Sequence, residues 1–229
     1  MSMTSHVELS DWSRKEIYDY YKSYDDPFFS ICTQLDVTQF VKFTKARRYP
    51  FSLCLVYLSL HQANLHDSFR FRIMNDEVVL VNAVNAAMTV LHANDCFDYC
   101  FFQYHKEFFE FLSSASGQLE NHRKSQKCFH PIDKEYDIIH YTMLPWINFS
   151  NMRHAHDYKR VDSIPKFVFG KYTEIEGHSL MPMSIEVNHA LMDAIHVARY
   201  INDLQDVLNK PEAAMMMMAP MCDKHVAHA

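Results

Sequence analysis

The stretch Met183-Ser-Ile-Glu-Val-Asn-His189-Ala-Leu-Met-Asp193-Ala-Ile-His-Val-Ala-Arg-Tyr-Ile-Asn-Asp-Leu-Gln205 changes its period halfway along. Apolar residues at 183, 185 and 187 alternate with polar ones, the pattern of a half-buried strand. From Asp193 onward the apolar positions are 197, 198, 201, 204 and 208, which is helical spacing. His189 therefore falls in the crossing between a strand end and a helix start, with Asp193 as a natural N-cap. Rigid elements hold such a junction yet leave it open to a cleft, the setting a general base needs.

Working outward, Ser13-Arg-Lys-Glu16 fits a capping box that opens a first helix through Tyr21. A second helix is expected after Asp36, with Val37, Phe40, Val41 and Thr44 on one face. Pro50 suits the first turn of a third, running to about Leu65. Residues 69–73 and 78–81 flank Asn75-Asp76 and read as a hairpin. Strands are expected at 89–92 and 97–104, then a helix over 106–114. Residues 113–131 are polar and irregular, the composition of a surface connection. Strands recur at 141–145, 167–172 and 180–188 before the last helix. This order predicts one domain over residues 1–211, of α/β (α+β) class with one dominant mixed sheet. Residues 212–229, with Met215 to Met218 consecutive, form a biased tail, frayed or docked on a partner subunit.

Composition excludes several function classes. The chain has 229 residues, is 48% hydrophobic and carries a net charge of −6, enough for one substantial core. Its basic run Lys45-Ala-Arg47-Arg48 is too short for a nucleic-acid footprint. The polar N-terminus does not read as a signal peptide, and the longest apolar run, 51–60, is half the length of a membrane span. Six cysteines without a Cys-x-x-Cys pair suit reduced thiols, so a cytoplasmic location is expected. Only three glycines occur, at 117, 170 and 177. Neither a Walker loop nor a dinucleotide fingerprint can be built from them, so any nucleotide-bearing ligand must be held by side chains.

These residues carry a family resemblance. His189, three residues, Asp193 and a following helix resemble chloramphenicol acetyltransferase. Asp11-Trp-Ser-Arg14-Lys-Glu-Ile-Tyr-Asp-Tyr20-Tyr21 resembles that family's opening helix. Thr142-Met-Leu-Pro-Trp146-Ile-Asn-Phe149 resembles its Ser-x-Leu-Pro-Trp segment, and Pro165-Lys-Phe-Val-Phe-Gly-Lys171-Tyr172 a further strand. The four blocks occur in the family's order and cover most of residues 8–208. The resemblance implies a two-layer sandwich, a mixed β-sheet covered by helices, in the CoA-dependent acyltransferase fold. It also implies a homotrimer with active sites shared between subunits.

The implied chemistry is acetyl transfer from acetyl-CoA to a hydroxyl of a small acceptor, chloramphenicol first among them. His189 matches the general base, and a neutral imidazole suits that role near neutral pH. Thr142 stands where the family's serine donates to the oxyanion, a bond that a threonine hydroxyl can also make. Asp193 and Arg14 match a structural ion pair behind the histidine, whose ring the family orients with a backbone carbonyl. Trp146, Lys171 and Tyr172 match residues on the coenzyme A side, while Tyr20, Phe29, Phe97, Phe129 and Met152 match the acceptor pocket. Arg153-His-Ala-His156-Asp157 reads as a polar loop rather than metal ligands, and no metal is expected. The chain departs from the family at Ala194, Met152, Val168, Asp25 and Pro27. An acyltransferase for another small alcohol, or a ligand-binding homologue without turnover, therefore stays open.

Overall fold

A computed structural model describes residues 4–124 and 136–216. In chain order the elements are β1 (Thr4–His6), α1 (Lys15–Tyr21), β2 (Phe28–Asp36), α2 (Thr38–Arg47), α3 (Phe51–Leu65), β3 (Phe71–Met74), β4 (Glu77–Val81), β5 (Asn85–Leu91), β6 (Phe97–Phe102), α4 (Phe108–Lys124), β7 (Ile138–Leu144), β8 (Lys166–Gly170), β9 (Thr173–Ile175), β10 (His178–Asn188), α5 (Ala194–Asn209) and α6 (Pro211–Met216). A seven-stranded sheet runs β2-β10-β8-β7-β5-β6, with β9 paired to β10. Its β5–β7 and β7–β8 pairs are parallel and the others antiparallel, so the sheet is mixed, as expected. A smaller sheet, β1-β4-β3, contains the expected hairpin. Asn75 and Asp76 both take left-handed φ (51° and 62°), which a tight two-residue hairpin turn demands.

One face of the large sheet carries Tyr141, Phe167, Phe169, Met183, Ile185 and Val187 into the main core with α3 and α5. α3 is buried from Leu53 to Ala63, so it is apolar around most of its circumference and lies inside the helical layer. Its buried polar groups find partners: Ser59 Oγ meets the hydroxyls of Tyr200 (2.8 Å) and Tyr141 (3.2 Å). α5 buries Val197, Tyr200, Leu204 and Leu208, while Ala198 is exposed. The stripe is thus turned from the expected one, because the large Tyr200 ring, anchored through its hydroxyl, goes in and the small Ala198 does not.

Several expectations need correction. β10 is not half-buried: its polar residues Ser184, Glu186 and Asn188 are 1%, 2% and 3% exposed. Chain segment 152–163 crosses the outer face, with Ser184 Oγ donating to Met152 O (3.2 Å) and Asn188 Nδ2 to Asp162 O (2.9 Å). α4 does not stop at Ser114 but runs to Lys124, since Phe108, Phe111 and Ala115 at spacings of three and four face the core. The N-cap of α1 is Arg14, with no side-chain capping bond, so the Ser13–Glu16 capping box does not form. β2 has no counterpart among the expected elements because Phe28-Phe29 breaks the alternation at its start. α6 carries ordered structure past residue 211, with Met215 fully buried in the core.

Candidate active site

The β10–α5 crossing is built by its own polar groups. Asn188 Oδ1 accepts the Ala190 N–H (2.9 Å), and its carbonyl accepts those of Leu191 (3.1 Å) and Met192 (3.3 Å). Ala190, Leu191 and Met192 are buried behind the turn, while the His189 side chain stays 31% exposed. His189 N–H donates to Pro27 O at 2.8 Å, which ties the turn to the start of β2. Asp193 is the N-cap residue of α5, as the sequence indicates, and its N–H donates to His196 Nδ1 (3.0 Å).

Arg14, at the head of α1, reaches across to this turn. Its Nη1 donates to Asp193 Oδ2, and its Nη2 donates to Asp193 Oδ1 (3.0 Å) and to the His189 carbonyl (3.2 Å). Hydrogen bonding from Arg14 outweighs burial and holds the Asp193 carboxyl below its ordinary range. His189 Nδ1 is buried, 3.3 Å from Asp193 Oδ1, but lacks hydrogen-bond geometry to any partner. The ring is held by aromatic faces instead of a carbonyl: Tyr21 stacks on it at 4.2 Å and 12°, and Phe29 tilts against it at 4.8 Å. Phe29 is an expected site residue. Tyr21 is not, although it adjoins Tyr20 in the same helix.

Thr142 lies elsewhere. It pairs with Val168, which pairs with Ser184, so Thr142 sits two strands from β10 and level with Ser184. His189 is five residues further along. At ~3.3 Å per residue and ~4.8 Å per strand, the two backbones are about 19 Å apart. A single chain therefore does not bring the expected base and oxyanion donor together.

Around Thr142 lies a polar cluster that is not among the expected site residues. Thr142 Oγ1 lies 3.4 Å from His154 Nε2. Glu186 accepts the His154 backbone N–H (3.3 Å) and bonds His156 Nε2, with both side chains of the latter pair almost fully enclosed. Burial works to raise the Glu186 carboxyl, but the hydrogen bonds from His154 and His156 outweigh it and hold it down to about 2. The polar loop that carries His154 and His156 is thus folded inward onto a buried carboxylate. The polar positions of β10 were its only sequence signal.

Trp146, 60% exposed, lines a cavity of about 440 Å³ with Phe51, Leu55, Met143, Phe169 and Gly170. Tyr172 packs on Phe51 (6.0 Å), and the exposed Lys171 donates its N–H to Ile147 O (2.8 Å). Gly170 is required here: a Cβ would meet Pro182 Cγ at 2.6 Å, Phe149 Cε1 at 2.9 Å and Ile147 O at 3.0 Å. Among expected pocket residues, Tyr20 is exposed on α1 beside Tyr21 and Tyr24, Phe97 is exposed on β6, and Met152 lies over Ser184. Phe129 lies outside the described residues.

This arrangement, a mixed sheet with helices packed on one face and a histidine at a strand-to-helix turn, is the fold of the CoA-dependent acyltransferases. A solved chloramphenicol acetyltransferase superposes with a TM-score of 0.82 at 24% identity, covering 90% of this chain and all of that one. The dihydrolipoamide acetyltransferase of Azotobacter vinelandii superposes with a TM-score of 0.65 at 13% identity, covering 87% and 88%. Both likenesses speak to the fold. The sequence profile of the chloramphenicol acetyltransferase family matches residues 1–205, and the chain belongs to that family. It is accordingly an acetyltransferase, which implies acetyl-CoA as co-substrate. Its relatives include the chloramphenicol acetyltransferase of Proteus mirabilis, 29% identical over 204 residues (87% of this chain, 92% of that protein). Chloramphenicol acetyltransferase 3 of Escherichia coli is 27% identical over 207 residues (88% and 95%). Among the described residues no helix is long and apolar enough to cross a membrane.

Proposed function

We propose that the chain transfers the acetyl group of acetyl-CoA to a hydroxyl of chloramphenicol, with His189 as general base. The observation that carries this reading is the His189 turn itself. Nδ1 is enclosed, the ring is fixed between Tyr21 and Phe29, and the backbone is clamped by Arg14, which leaves Nε2 to do chemistry. His189 takes the acceptor's hydroxyl proton as its oxygen attacks the thioester carbonyl. Thr142 donates to the oxyanion of the tetrahedral intermediate, the C–S bond then breaks, and His189 returns the proton to the departing thiolate. No acyl-enzyme forms, because oxygen attacks the thioester directly. Arg14 and Asp193 hold the turn rather than touch substrate.

Acetyl-CoA enters along the cavity beside Trp146, with Tyr172 and Lys171 flanking it, and the acceptor lies against Tyr20, Phe29, Phe97, Phe129 and Met152. Because Thr142 and His189 are far apart in one chain, the working site is shared between copies, and a homotrimer gives three such sites. The acyltransferase unit spans residues 1–211, and the protein works in the cytoplasm, where acetyl-CoA is supplied. A second reading, transfer to a more polar small alcohol, draws on the buried Glu186, His154 and His156 beside Thr142.

The test is release of free thiol from acetyl-CoA with chloramphenicol, and then with a panel of small alcohols. Activity should appear on one of them and fall by about 10²–10⁴-fold in His189→Ala, the weight of a general base. Retention of more than a tenth of the activity by a folded His189→Ala would remove the base from this mechanism. Turnover on the panel but not on the antibiotic would favour the second reading.

A further inference from the structure

At the opposite edge of the large sheet, three ligand-type side chains converge from three elements. His92 follows β5, Asp98 lies on the edge strand β6, and His122 lies in the last turn of α4. One ligand atom from each lies within 4.8 Å of the others. Asp98 is completely buried; its Oδ1 accepts the Tyr99 N–H at 2.7 Å, and its Oδ2 faces His122 Nε2 at 3.5 Å. The His92 and His122 rings lie side by side, 5.5 Å between centroids. His92 Nε2 is buried with no hydrogen-bond partner, an unfavourable state for an imidazole nitrogen unless something else meets it. The backbone of His92 is fixed by its N–H bond to Cys96 O (2.8 Å) and by the Asp95 N–H bond to its own carbonyl (3.1 Å).

Two partly buried imidazoles and a fully buried carboxylate converge here, each with a ligand atom close to a common point. With metal–ligand bonds of about 2.0–2.2 Å, neighbouring ligands of a tetrahedral ion stand about 3.3–3.6 Å apart, the spacing already found between Asp98 and His122. Only a small side-chain adjustment is needed to close His92 onto the same point.

We infer that His92, Asp98 and His122 form a divalent transition-metal site, with zinc the ion this donor set favours and a water in the fourth position. The site lies four strands from β10, about 19 Å at ~4.8 Å per strand, so its ion is far from His189 of the same chain. Its role is structural: it pins the β5–β6 hairpin to the end of α4 and so steadies the exposed edge of the sheet.

The test uses the full chain, stripped with EDTA, given Zn²⁺ and desalted. One zinc per chain should be retained with micromolar or tighter affinity, and the thermal midpoint should rise with Zn²⁺. His92→Ala and His122→Ala should each weaken binding at least tenfold and abolish that rise, whereas His178→Ala should bind as the parent does. Co²⁺ should give visible d–d absorption without thiolate charge-transfer bands, which separates this site from the cysteines. The histidine variants carry the test because Asp98→Asn is liable to unfold. Failure to retain zinc, or unchanged binding in both histidine variants, would overturn the proposal and leave Asp98 as a carboxylate flanked by two imidazoles.

Discussion

Arg14 and Asp193, 179 residues apart in sequence, form a two-pronged ion pair, and the same guanidinium also holds the His189 carbonyl. The Arg14 side chain is 11% exposed and that of Asp193 31%, so the pair is partly withdrawn from water. Charged hydrogen bonds in such a setting are worth about 1.5–3 kcal/mol. Arg14→Met and Asp193→Asn should each lower stability by that order and reduce acetyl transfer with it. The double variant should cost at least about 1 kcal/mol less than the sum. Strict additivity in urea unfolding would show that the two groups do not act together. The Asp193 carboxyl is depressed, so its contribution is present above the ordinary aspartate pKa and is lost as pH falls below it.

Tyr21 stacks on the His189 ring, and that contact rather than its hydroxyl should matter. Aromatic pairs of this kind are worth ~0.5–1.5 kcal/mol, which corresponds to roughly 2- to 13-fold in rate. Tyr21→Phe should keep parental kcat, and Tyr21→Ala should lower it by that factor with little change in the KM for acetyl-CoA. Equal losses in both variants would place the effect in the hydroxyl.

Glu186 gives the outer face of β10 an acid-sensitive element. Its folded-state carboxyl lies near 2, against an ordinary value near 4.5. A depressed carboxyl stabilises the fold above the unfolded pKa, and that stability is lost as pH falls from about 4.5 toward 2. Glu186→Gln should therefore flatten the fall in unfolding free energy between pH 5 and pH 3 by about 1–3 kcal/mol. A parental slope in that variant would mean that other carboxylates govern the acid transition.

If Thr142 and His189 from different copies build each site, two crippled chains should rescue one another. His189→Ala and Thr142→Val, unfolded and refolded together, give some interfaces with an intact residue from each copy, about a quarter in random trimers. The mixture should exceed the mean of the separate preparations by many-fold. No gain in mixed oligomers confirmed by light scattering would argue for a site within one chain.

Much of the functional turn was legible from order along the chain. His189 and Asp193 fall where an alternating pattern gives way to a helical one, and that change of period is a property of adjacent residues. Arg14, Thr142 and Trp146 were legible only by resemblance to a family, since nothing local distinguishes one surface-type arginine or strand threonine from another. Serine-rich composition hid the second half of α4, because burial of Phe111 and Ala115 outweighs weak intrinsic propensity.

Patterning between near neighbours accounts for the class of fold, for most of the elements that carry its core and for the histidine at the strand-to-helix crossing, because periodicity and capping act over a few residues. Which polar residues are buried depends on long-range packing. Glu186 became an enclosed carboxylate because residues 152–163 fold over the sheet, Tyr21 reached His189 because α1 packs beside the turn, and His92, Asp98 and His122 met because α4 lies against β6. Those relations join residues far apart in sequence, and burial, which sets their energies, is a property of the packed molecule alone.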